Sequence, residues 1–214
     1  MAADRSGDAF AEELSRLKRR GSAILVVSGR ESARVCRDLL GSDDEPRRRV
    51  LVRADEFGEL PVPGDGAVLV DATADDARSA AAYDPGPIDR CLAGGCTVDT
   101  IATSVRNEVD AIAEEGLEPG ELRVCLGCLD PVLARTDPDV VEPCLSDLFD
   151  STRAARGMAH VHLSPDAAPG AAERLRPAVD VTVNVRTSPA GVHQQRWRLH
   201  EAGIDTGWIG MGDR

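Results

Sequence analysis

Aromatic residues are scarce. Two Trp, one Tyr and three Phe make up 3% of the 214 residues, so any core must be assembled from Val, Leu, Ile and Ala. Hydrophobic residues still reach 42%, enough that disorder is not the default reading, and a chain of this length can bury a core as one domain. Lysine is scarcer still, with Lys18 the only one. Against 37 acidic residues stand 25 basic ones, for a formal net charge of −12. Phosphate backbones require a basic face, and with this balance of charge no general nucleic-acid partner is expected. Long apolar runs are absent too. The longest covers 23–27, against about 20 residues needed to span a bilayer, so no membrane insertion is expected. Residues 1–20 carry charge throughout and show no apolar leader. With that start, the six cysteines do not read as a secreted disulfide framework; a cytoplasmic location with reduced thiols is expected.

Acidity with arginine in place of lysine fits a cytoplasm of molar salt, where repulsion between carboxylates is screened. Plain solubility and a GC-rich genome are the rival explanations for the acidity and for the arginine.

What is present alternates between two periods. Asp8 is positioned to cap a helix carrying Phe10, Leu14 and Leu17, with Gly21 as its stop. The run AILVV over 23–27 suits a strand buried on both faces. After the Ser28-Gly29 turn, a helix directs Val35, Cys36, Leu39 and Leu40 inward and ends at Gly41. Strands are expected over 48–53, 67–70 (ending at Asp71), 122–126 and 158–163, and loops over 54–66 and 83–95. Thr97 caps a helix with Val98, Ile101, Val105, Val109 and Ile112 on one face, stopped by Gly116. Asp137-Pro138 opens another that reaches about Arg156, with Pro143 implying a kink or a late start. A short helix follows over 168–176, then alternation at Val179, Val181, Val183 and Val185, and again over 192–200 and 205–211. The tail, 178–211, reads as antiparallel strands on the sheet's edge. Together these elements predict a single α/β domain over 1–214: three layers, a mostly parallel sheet and an antiparallel C-terminal meander.

The order of parts resembles the RecA/KaiC-like branch of the P-loop NTPases, and is particularly similar to a haloarchaeal KaiC-like family of unknown function. The residues that carry the resemblance are 23–29 (AILVVSG), 123–131 (RVCLGCLDP), 156–163 (RGMAHVHL), 179–185 (VDVTVNV), Gln195-Arg196-Trp197 and Thr206-Gly207-Trp208. It implies a RecA-like, P-loop NTPase-like fold but not that fold's chemistry. A P-loop needs two glycines to wrap phosphates, a Lys to neutralise charge and a hydroxyl for Mg²⁺. Laid on Gly29, the pattern puts Arg34, Val35 and Cys36 at the second glycine, the lysine and the hydroxyl. The strand that should end in an acid runs into Gly127 instead. No catalytic residue and no cofactor is therefore expected.

Two remnants stay as candidates for a nucleotide or anion: the turn Ser28-Gly29 with Arg30 and Arg34 at a helix start, and Asp71 as a displaced acid. The competing reading is a helix cap, solvated arginines and a turn residue. Cys125-x-x-Cys128 is the most motif-like thiol pair, and with Cys91 and Cys96 it offers four sulfurs. Cys125, however, sits within an apolar strand, where cysteine behaves as a small hydrophobe; thiols without stoichiometric zinc are expected. His160 and His162, two apart on a strand, share a face and offer two metal ligands with no third partner nameable. Trp197 and Trp208 suit core packing or a partner patch.

Three functions follow as expectations. The first is a non-catalytic regulatory or signalling module acting through protein contacts, with an unknown partner or a second copy of itself. The second is a nucleotide-dependent switch or ATPase using substitute residues. The third is a thiol or metal sensor.

Overall fold

The strands among the described residues form one ten-stranded sheet. The computed structural model describes residues 2–29, 32–42, 44–53, 66–72, 90–93, 97–166 and 170–211. The strands are β1 (Ser22–Val27), β2 (Arg48–Arg53), β3 (Ala67–Asp71), β4 (Arg90–Ala93), β5 (Leu122–Cys128), β6 (Met158–Leu163), β7 (Val181–Thr187), β8 (His193–Leu199), β9 (Ile204–Asp205) and β10 (Ile209–Gly210). The helices are α1 (Ala2–Arg20), α2 (Ser32–Leu40), α3 (Val98–Ala113), α4 (Asp130–Leu133), α5 (Pro138–Ala154) and α6 (Ala171–Leu175).

In space the strands run β10-β8-β7-β1-β6-β5-β2-β3-β4, with β9 also on β8. From β7 to β4 every pairing is parallel; β8, β9 and β10 join antiparallel. Helices bury both faces of the parallel part, which is why β1, β2 and β3 are continuous aliphatic runs rather than alternating ones. One face, bearing Ala23, Leu25, Val50, Val124 and Val161, packs against α3, α4, α5 and α6. The other, bearing Ile24, Val26, Leu51 and Cys125, packs against α1 and α2.

Local chemistry accounts for the element ends. Thr97 caps α3 in a reciprocal box with Thr100. Gly21 closes α1 at φ +85°, where an added Cβ would lie 2.9 Å from the Arg153 backbone; only glycine permits that turn and that approach. Asp180 fastens three elements. Its carboxylate accepts from the Ala23 amide at 2.8 Å, Arg153 Nε at 3.0 Å and Arg20 Nη2 at 3.0 Å.

Three sequence expectations need correction, and one pair of alternatives, at Pro143, loses a member. Helix α1 begins at Ala2, so Asp8 lies inside it rather than capping it. Residues 90–93, expected as loop, form β4, because pairing with the fully buried β3 supplies the ladder that local composition does not advertise. Helix α5 starts at Pro138 behind the Asp137 cap and continues through Pro143, so a late start is excluded. The tail is not wholly antiparallel: β7 pairs parallel with β1 before pairing antiparallel with β8. Alternation fixes which side chains face inward, not strand direction. The expected loop over 54–65 lies outside the described residues. No helix among the described residues is long and apolar enough to cross a membrane.

Candidate metal centre

Helix α2 presents Val35, Cys36, Leu39 and Leu40 to the sheet, following its apolar stripe. Beneath it, the parallel register sets Cys125 of β5 opposite His160 of β6, and His160 opposite Ile24 of β1. Side chains two apart on a strand share a face, so Cys125, His160 and His162 all point at α2. Cys36 closes the group from above.

The sulfurs of Cys36 and Cys125 are 2.9 Å apart, and His160 Nε2 lies 3.2 Å from Cys36 Sγ. One ligand atom from each of Cys36, Cys125, His160 and His162 falls within 4.8 Å of every other, and all four residues are buried. The two imidazoles meet edge to face, 5.1 Å between centroids. Neither ring nitrogen of His162 finds a partner of hydrogen-bond geometry among the described atoms. A buried imidazole in that condition is costly unless something else takes up its lone pair.

The electrostatics suit a cation. The hydrogen bond from Cys125 holds the Cys36 thiol well below the usual range, against the effect of burial and with help from His160. Cys125 moves the opposite way, raised by the charge it donates to and by its own burial. Burial lowers His160, which favours the neutral imidazole that ligates metal. The group thus offers two sulfurs, which a metal would hold as thiolates, and two imidazoles.

That donor set and its compactness fit Zn²⁺. Zn–S bonds of about 2.3 Å and Zn–N bonds of about 2.0–2.1 Å in a tetrahedron place the sulfurs about 3.8 Å apart and each S–N pair about 3.6 Å apart. From 2.9 Å, the sulfurs need open by only about 1 Å to admit the ion. Two thiolates then neutralise the dication, so the filled site carries no net charge into an apolar shell. Leu40, Leu51 and Leu69 pack with Cys36 and Cys125 and keep water away.

The fold therefore joins three residues singled out in the sequence (Cys125, His160 and His162) to one that was placed inward on its helix but given no chemistry, Cys36. The side chains of Cys128 and Cys91, and the whole of Cys96, lie outside the described residues. Ser28 is buried after β1 with its hydroxyl unpartnered among the described atoms, and Gly29 follows in a bend. Arg34 lies half-buried on α2, and Arg30 is outside the described residues. Asp71 is buried at the end of β3 and ion-paired with Arg53. β6, β5 and β2 stand between β1 and β3, about 19 Å at ordinary strand spacing, so Asp71 and the Ser28-Gly29 turn do not form one site.

On the opposite face of the sheet a groove of about 650 Å³ opens beside α6, lined by Thr182, Asn184, Arg176, Arg198 and His200 among others. None of the four metal-facing residues reaches it. In the tail, Trp197 packs edge-on against Phe10 of α1, and Arg186 lies 3.9 Å above the Trp208 ring. His200 bonds with Thr182 Oγ1, and His193 with Thr187 Oγ1.

Residues 21–185 match a family described only as a family of unknown function, DUF7504, and the chain belongs to it. No curated protein matches the chain.

Proposed function

We propose that this member of DUF7504 is a non-catalytic RecA/KaiC-like module that holds one zinc ion between α2 and the sheet and serves regulation or signalling through protein contacts. The observation that carries the metal reading is the convergence of Cys36, Cys125, His160 and His162 from three separate elements onto a single point. Four buried ligands with no open position suit a structural or sensing ion rather than a catalytic one. In such a site the ion supplies cross-linking of α2 to β5 and β6, and ligand exchange with the surroundings would read out metal supply or thiol state.

The non-catalytic half of the reading has its own support. Val35 and Cys36, at the positions where a P-loop would have a lysine and a hydroxyl, face the sheet and are buried. The mostly parallel order, with a helix after β1 and an antiparallel finish, accords with the resemblance in sequence. The acidic, lysine-poor composition fits a protein working in a cytoplasm of molar salt.

Elemental analysis of protein purified under reducing conditions in molar KCl tests the metal. One zinc per chain is expected, and Co²⁺ substitution should give the absorption bands of a tetrahedral S₂N₂ site. Folded, reduced protein that takes up neither Zn²⁺ nor Co²⁺ would overturn the reading.

A further inference from the structure

Below the metal-facing row, at the starts of the strands, the same sheet face carries Arg49 of β2, Arg123 of β5 and Met158 of β6 in adjacent register. From this row we infer that Arg123 and Arg47 form a binding site for a phosphate-type oxyanion, independent of the metal reading.

Arg123 is only 4% exposed. A guanidinium has five N–H donors and stays charged at any physiological pH. The one hydrogen bond it makes among the described residues goes to the thioether of Met158, a weak acceptor, and its Nε has no partner. No carboxylate among the described residues forms an ion pair with it. Burial together with the neighbouring charges of Arg47 and Arg49, partly offset by the Glu45 carboxylate, lowers its pKa to about 10, which still leaves it protonated at neutral pH.

The second cation stands nearby. Arg47 donates to the Gly120 carbonyl and to Glu45, using two of its five donors. Gly120 is where the two guanidinium groups meet. Measured from where a Cβ at 120 would sit, the Lys18 carbonyl oxygen is 3.5 Å away, Arg123 Nη2 3.7 Å and Arg47 Nη1 4.0 Å. The backbone there takes φ +78°, a conformation that favours glycine. Arg49 anchors the floor beside them by donating to the Ser42 carbonyl at 3.0 Å.

Two guanidinium groups with unused donors, drawn together beside Gly120, call for an acceptor that is compact, anionic and rich in oxygen. Phosphate fits because its oxygens match guanidinium N–H directions and accept charge-assisted bonds from both groups at once. A polyanion does not fit, since the chain's net charge of −12 repels it. Free inorganic phosphate and the phosphate group of a small monoester share this chemistry.

The test is thermal unfolding of the purified protein, with phosphate replacing chloride at constant molar ionic strength and methyl phosphate in a parallel arm. A ligand of the native state raises Tm with its concentration. Wild type should respond to one or both anions, and the stronger response identifies the source. Arg47→Gln, at a half-buried surface position, should weaken apparent affinity about tenfold or more. Arg123→Met, which keeps an apolar stem beside Met158, should abolish the response while the far-ultraviolet spectrum stays as in wild type. If Arg123→Met does not fold, Arg47→Gln alone decides. No response in wild type, or an equal response in wild type and Arg47→Gln, overturns the site.

Discussion

Cys36 Sγ and Cys125 Sγ lie 2.9 Å apart across a sequence separation of 89 residues. Only the packing of α2 on β5 makes them neighbours, and the same contact sets both sulfurs beside His160 and His162.

Loss of one ligand should therefore be felt at all four. Cys36→Ser and His162→Ala are each expected to weaken metal binding by at least about 10–100-fold and to lower Tm in zinc-replete buffer, where wild type and variant are compared after equal loading. Acidification should release the ion as well, because thiols and imidazoles must be deprotonated to bind it. A zinc-sensitive dye followed from neutral pH downward reads that release. Retention of stoichiometric zinc by both variants would place the metal elsewhere.

The purified chain should not hydrolyse ATP or GTP. Phosphoryl transfer depends on positioned charge around the γ-phosphate, and losing one such group typically slows it by orders of magnitude. Val35 is 2% exposed and packs in the core, so Val35→Lys would bury a cation rather than rebuild a phosphate cradle and should fail too. Asp71 is held by Arg53 on a strand remote from the β1 turn. A phosphate-release assay in molar KCl with Mg²⁺ checks this, beside Asp71→Ala; turnover that vanished in that variant would restore the nucleotide-dependent reading.

Asp180→Ala should destabilise the fold by about 2–4 kcal/mol, since hydrogen bonds to charged groups contribute about 1.5–3 kcal/mol and a stranded buried donor adds its own penalty. The change strands the Ala23 amide and frees Arg20 and Arg153. Asp180→Asn retains an acceptor oxygen and should lose less. Denaturant titration of the three proteins gives the ordering; equal losses for Ala and Asn would mean that charge alone matters there.

The fold should be stabilised by salt. A formal charge of −12 leaves carboxylates crowded at low ionic strength, and molar KCl shortens the screening length to about 3 Å. Circular dichroism melts in dilute buffer and in molar KCl measure the effect. Equal Tm in both would remove the halophilic reading.

Much of the architecture was legible because it rests on short-range rules. The aliphatic runs at β1, β2 and β3, the Thr97 cap and the Gly21 stop each carry their reason within a few residues. Strand β4 was not legible, because residues 90–93 become a strand through their ladder with β3. The direction of β7 was hidden for a related reason: period-two alternation looks the same whether the neighbour runs parallel or antiparallel.

The candidate site divides in the same way. By itself the sequence determined that His160 and His162 share a face, that Cys125 sits in a buried strand, that Cys36 points inward from its helix, and that the phosphate-binding residues of a P-loop are missing. Tertiary structure alone decided that these inward directions converge. Register between β5 and β6 places Cys125 beside His160, and the seat of α2 lowers Cys36 onto both. Register and helix docking are set by the burial of whole faces, a property summed over many residues and written in no single motif.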